Sequence, residues 1–135
     1  MIVSLSFFAP GILAAHAAVS TSSSVSILSK FSGLNVFESC PSKCYPPDVQ
    51  VAAGPNHIGE MVNLALRVFL KDGTIVKTKM LSTLFNVGND SISDPKLLYD
   101  APSQRWFASL VDVTTNSVKM AVSAGNDPTV DAWKT

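Results

Sequence analysis

Asp94-Pro95 and Tyr99-Asp100 bracket a short apolar run. Carboxylates so placed, beside the oxygen-rich loop 89–94, could ligate calcium, which favours carboxylate and carbonyl oxygens. Equally, Asp94 and Asp100 could cap turns by accepting backbone N–H bonds. Arg105-Trp106 follows at once. A guanidinium forks to carboxylates and an indole offers a flat apolar face, so the pair could present a ligand-binding surface for a sugar. Alternatively Trp106 fills space between sheets and Arg105 pairs with Asp94 or Asp100.

Cys40 and Cys44, in CPSKC, are the two cysteines. In an oxidising compartment they would close a small disulfide loop; pairing with cysteines outside this sequence is the other option. A zinc site needs about four ligands, and beyond the N-terminal stretch only His57 remains as a histidine. For hydrolysis the set is thin. His57 follows Gly54-Pro55-Asn56 at a turn, no G-x-S-x-G occurs, and a glycosidase would need two facing carboxylates, for which Glu60 and Asp112 are the candidates. No catalytic residue is assigned. Asn89-Asp90-Ser91 is a formal glycosylation sequon, relevant only in a eukaryotic host.

These residues must be positioned by strands. Leu64, Leu66, Val68 and Leu70 alternate with Ala65, Arg67 and Phe69 at period two. Lys71-Asp72-Gly73-Thr74 is a hairpin signal, since Gly accepts positive φ without steric cost. Ile75 to Met80 is the predicted return strand, with Val76, Thr78 and Met80 inward and Lys77 and Lys79 toward water. Leu81 to Val87 is a helical turn or a loop, and 88–94 a loop by composition. Strands are predicted at 96–100, 105–113 and 118–123, with a further one starting near Trp133. No sustained helical spacing occurs after residue 30. The fold class is therefore all-β, built of antiparallel meanders.

Composition adds limits. The 135 residues carry ten basic and ten acidic side chains. A formal charge of zero argues against a nucleic-acid partner. Residues 1–17 are uncharged and apolar, too short for a membrane span, and end in the small-x-small pattern Ala15-His16-Ala17. They read as a signal peptide lacking its usual basic start, which places the mature chain outside the cell or at its surface. Residues 18–45 read as a Ser-rich linker and Cys loop, with one short strand at Val25 to Leu28.

From Asp48 to Asp94 is 46 positions, within the roughly 40–50 residues of one four-stranded propeller blade. Two such units leave sheet faces exposed, and a closed propeller needs roughly four to eight blades. Residues 46–135 are thus expected to form about two blades of a longer propeller, with a small β-sandwich as the alternative. The segment SAGNDPTVDAW is only loosely like a sialidase Asp-box, with the wrong spacing.

The stretch PPDVQVAAGPNHIGEMVN at 46–63 resembles the opening of a family of large secreted bacterial and archaeal proteins. Later motifs of that family are matched in order by Lys71-Asp72-Gly73, Leu84-Phe85, Asp94-Pro95, Tyr99-Asp100, Arg105-Trp106, Ser109, Ala121-Val122-Ser123 and Asp127-Pro128-Thr129. Val49, Ile58 and Val130 depart from the usual Thr, aromatic and Gly. The resemblance implies propeller-like, sialidase-like sheets and no defined activity. The expected function is an exported, non-catalytic module for cell-surface interaction, with a cell-surface glycan or protein as partner. The alternative is the N-terminal part of a secreted glycan-active enzyme.

Overall fold

A computed structural model describes residues 25–40 and 45–135. The signal-peptide expectation and Cys44 lie outside the described residues.

The chain folds as two antiparallel meanders. Strands β1 (Gln50–Ala53), β2 (His57–Val62), β3 (Ala65–Leu70) and β4 (Ile75–Met80) form sheet A in sequence order. Strands β5 (Ile92–Asp100), β6 (Arg105–Asp112) and β7 (Ser117–Val122) form sheet B, also in order. Val122 further pairs with Lys134 through two backbone bonds of 2.8 and 2.9 Å. Where a further strand was expected, near Trp133, the chain makes only this isolated bridge to the edge of sheet B. The all-β class and the antiparallel arrangement are observed.

Local chemistry fixes the turns. Gly73 takes φ 94°, and the Asp72 carboxylate accepts the Thr74 N–H at 2.8 Å, closing the β3–β4 hairpin. That bond holds the Asp72 carboxyl below the ordinary Asp range. A one-turn helix, α1 (Leu81–Phe85), follows β4 and ends at Asn86 in the left-handed region, which Asn tolerates. Strand β5 starts earlier than expected, at Ile92. It passes through a bulge between Ser93 and Lys96, where Asp94 has φ 53° and Pro95 needs no ladder donor.

The two sheets stack face to face. Along β6, Trp106, Ala108, Leu110 and Asp112 are buried while Arg105, Phe107, Ser109 and Val111 are half-exposed, the period-two alternation of a half-covered strand. The inward set packs on Met61, Leu66 and Val68 of sheet A and on Leu84 and Phe85 of α1. Gly54 and Gly59 let the backbones approach: a Cβ at Gly54 would lie 2.7 Å from the Trp106 ring, and one at Gly59 would lie 2.8 Å from Leu97.

Lys77 and Lys79 reverse the expectation. They are the cross-strand neighbours of Val68 and Leu66 on the inner face, while Val76 and Met80 are exposed. Asp131 makes this inward orientation favourable. Its carboxylate accepts from Lys77 at 2.8 Å and from Lys79 at 2.9 Å.

Sheet A has a cover on its outer face. Residues 29–39, expected to be linker, pack across Glu60, Arg67 and Phe69, and no strand forms at Val25 to Leu28. Phe31 meets Phe69 with ring centroids 5.0 Å apart. The Leu34 N–H donates to Glu60 Oε2 at 2.7 Å. A single helical turn at Val36–Ser39 is held by a capping box. The Asn35 side chain accepts the Phe37 and Glu38 N–H groups, and Glu38 accepts the Asn35 N–H in return. The other Glu38 oxygen accepts from Arg67 at 3.0 Å, the main reason its carboxyl sits below the usual Glu range. Both buried charges of this face, Glu60 and Arg67, therefore have partners in the strap, as burial requires.

Among the described residues nothing covers sheet B in this way. On its outer face Leu98 pairs with Phe107, Phe107 with Val122, and Ser109 with Met120. Leu98 is 60% exposed, Met120 62% and Val118 67%.

Candidate functional site

Trp106 opens β6 and is 0% exposed. Its ring meets Tyr99 at 5.1 Å and lies against Gly54 and Gly59. Its Nε1–H donates to the Asn126 carbonyl at 2.9 Å, and its backbone N–H to Ser123 Oγ at 2.9 Å. An indole so enclosed has no face to offer a sugar. The expected Arg105–Trp106 binding surface is corrected accordingly: Trp106 is the wedge between the sheets. Arg105 faces the other way by strand alternation and remains half-exposed. It forms no ion pair with Asp94 or Asp100 among the described residues.

Asp94 and Asp100 stand six positions apart on β5. At ~3.3 Å per residue, less the bulge, their separation is on the order of 15–20 Å, so one calcium ion does not bridge them. The Asp100 carboxylate accepts the Ser103 N–H at 2.9 Å and caps the Ala101–Gln104 turn. Those Ser103 hydrogen bonds lower its pKa. Asp94 sits at the left-handed bulge position.

Glu60 and Asp112 do not face each other. Glu60 points to the outer side of sheet A, under the strap, whereas Asp112 belongs to the inner face of sheet B. Sheet A stands between them, so they cannot flank one glycosidic bond. Asp112 accepts the Thr115 N–H at 3.0 Å and has Lys119 Nζ 3.5 Å away. The Thr115 bonds lead in lowering its pKa.

His57 acquires an acidic neighbour that spacing did not reveal. Its Nε2 lies 3.9 Å from Asp127 Oδ1. That carboxylate oxygen accepts hydrogen bonds from Thr129, through both backbone N–H and hydroxyl. These Thr129 bonds hold the Asp127 carboxyl low, outweighing partial burial. Among the described residues no nucleophile completes a relay: His57 Nδ1 is buried without a hydrogen-bond partner. The pair instead ties residues 123–133, which run from the end of β7, back onto sheet A. Lys77 Nζ donates to the Thr129 carbonyl, and Trp133 Nε1 to the Pro128 carbonyl.

Asp131 gives this strap-down its pH dependence. Its pKa is pulled to about 2, first by the hydrogen bond from Lys77 and then by that from Lys79. A carboxyl depressed below its unfolded value near 3.8 contributes stability above that value, and the contribution is lost as pH falls toward 2. Asp131→Asn should therefore unfold at lower urea than wild type at pH 6, with the gap closing by about pH 2. Because Asp131 is exposed, salt should narrow the gap at pH 6. Urea melts at the two pH values read this directly; a pH-independent gap contradicts it.

Cys40 is buried and disulfide-bonded, with no free thiol among the described residues. No trio of His, Cys, Asp or Glu that could hold a metal occurs among the described residues. No helix of the described residues is long and apolar enough to cross a membrane. No protein-family model, curated protein or solved structure matches the chain. Exposed sheet faces were expected, but sequence reasoning did not single out which face stays open, that of sheet B, or the cover on sheet A. Both depend on which residues meet across the sheets, and no local spacing encodes that.

Proposed function

We propose that this chain is an exported, non-catalytic module of the β-propeller type, used for interaction at the cell surface. One observation carries the reading: the outer face of sheet A is closed by the chain's own strap, while the equivalent face of sheet B presents an apolar surface that no described residue covers. Sheet B already stacks on sheet A through its inner face. A further antiparallel sheet stacked the same way is the occupant that fits the outer face, since it would bury Leu98, Phe107 and Met120 as Trp106 and Leu110 are buried now. The blade-length interval between Asp48 and Asp94, the Val122–Lys134 bridge and the motif resemblance support the same reading. The candidate residues support a scaffold: Asp112, weighed for catalysis, and Asp100, weighed for calcium, cap turns, and Glu60 anchors the strap.

The test is surface labelling with a hydrophobic dye. Wild-type chain should bind the dye, and Leu98→Lys/Met120→Lys should bind several-fold less with an unchanged circular dichroism spectrum, because both positions are exposed. Wild type that binds no dye, or a double variant that binds as much, overturns the open-face reading. For export, a reporter active only outside the cytoplasm, fused after residue 24, should be active; an inactive, retained fusion overturns it.

A further inference from the structure

A cavity of about 200 Å³ lies at the far end of β2 from His57, between the strap and the loop that leads into β1. Leu34 and Val36 of the strap form one wall, Tyr45, Pro47 and Val49 the other, and Val62 part of the floor. Ser39 and Asn63 complete the described lining. The Ser39 hydroxyl is engaged by the carbonyls of Asn35 and Val36 at 3.2 and 3.4 Å.

Asn63 builds the loop wall. Its Nδ2 donates to the Pro46 carbonyl and to Asp48 Oδ2, each at 2.7 Å, and its backbone N–H to the Pro47 carbonyl at 2.9 Å. These bonds hold Asp48 at φ 50°. Two acceptors facing one end of the amide settle its orientation, because the reversed amide would set oxygen against oxygen. The Oδ1 atom therefore points away from both. It is buried without a hydrogen-bond partner in a residue only 8% exposed. Native folds seldom leave a buried carbonyl oxygen unpartnered. A water would need two to four polar partners to settle there, and Asn63 Oδ1 is the one buried side-chain acceptor without a partner in the described lining.

We propose that the cavity binds an aromatic ring carrying a single N–H or O–H donor, the chemistry of indole and phenol. The apolar walls take the ring, and Asn63 Oδ1 takes the donor after a small adjustment of the side chains around it. The size agrees: an apolar protein cavity of ~150 Å³ holds benzene, and this one has room for one or two fused rings but not for a drug-sized molecule. Tyr45, largely exposed at the rim, is placed to close over the bound ring. Nothing in this proposal depends on the propeller reading.

Calorimetric titration of the full chain tests it with four probes. Indole and phenol should saturate one site. 1-Methylindole, which keeps the ring and loses the donor, should bind at least about tenfold more weakly. N-acetyltryptophanamide separates the two sources of such a ring. Binding as tight as indole identifies an exposed side chain of a partner as the ligand, and much weaker binding identifies a free small molecule. Val49→Trp fills the mouth from a half-exposed position, so it should abolish indole binding while leaving the circular dichroism spectrum intact. Equal affinities for indole and 1-methylindole, no saturation by ~1 mM, or undiminished binding to a folded Val49→Trp chain overturns the proposal.

Discussion

Replacing Trp106 by Ala should cost about 3–5 kcal/mol of stability, the range for emptying a fully buried large aromatic position. The ring is in contact with Tyr99 and with the Gly54 and Gly59 backbone of the other sheet, and its Nε1–H satisfies the Asn126 carbonyl. Truncation removes all three at once. Collapse around the void is restricted because both glycines are held in β-ladders or their turns. Urea unfolding followed by far-ultraviolet circular dichroism should show the midpoint falling with an unchanged m-value. Trp133→Ala gives the internal comparison. Trp133 is only half-buried and makes one 3.2 Å bond to the Pro128 carbonyl, so its loss should be markedly smaller. Equal losses at the two tryptophans would contradict the wedge role of Trp106.

Phe69→Ala should have an effect of similar size, about 3–5 kcal/mol, on the opposite side of sheet A. Phe69 is buried only because the strap lies over it, with Phe31 as its direct partner. Its removal should also loosen the strap. The Leu34 amide, bonded to Glu60, should lose most of its hydrogen-exchange protection, while amides of β6 lose only what the global destabilisation takes. Phe31→Ala, at a position 39% exposed, should cost clearly less. The double variant should show a coupling of roughly 0.5–1.5 kcal/mol, as aromatic pairs do. Protection at Leu34 that survives Phe69→Ala would mean that the strap does not depend on this contact.

The elements easiest to read from sequence were those whose ends carry their own chemistry. Strand β4 was bounded by Asp72-Gly73 on one side and by the change of period at Leu81 on the other, and it runs from Ile75 to Met80 as expected. Strand β3 was legible from its alternation. The start of β5 was not, because Ser-Ile-Ser-Asp-Pro has loop composition. A bulge accommodates Asp94 and Pro95, and only pairing with β6 makes the segment a strand.

Orientation was harder than existence. Lys77 and Lys79 point inward because Asp131, more than fifty positions away, returns to meet them. Glu60 and Arg67 are buried because a Ser-rich, non-periodic segment covers them. That segment did carry one readable signal, the Asn35-x-x-Glu38 capping box. The candidate sites followed the same division. Asp100 was legible as a turn cap from its place before Ala101-Pro102. The depth of Trp106 was not, since burial depends on Gly54 and Gly59 meeting it from the other sheet. Asn63 gave no local signal at all: its role comes from a loop that folds back on it from Pro46 to Asp48.

Nuclear Overhauser contacts of the Trp106 ring test the stacking of the two sheets most directly. Cross-peaks from its ring protons to the α-protons of Gly54 and Gly59 are predicted, with none to the Leu98 or Met120 methyls. Cross-peaks to Leu98 and Met120 in place of the two glycines would put Trp106 on the open side of its sheet and contradict the arrangement.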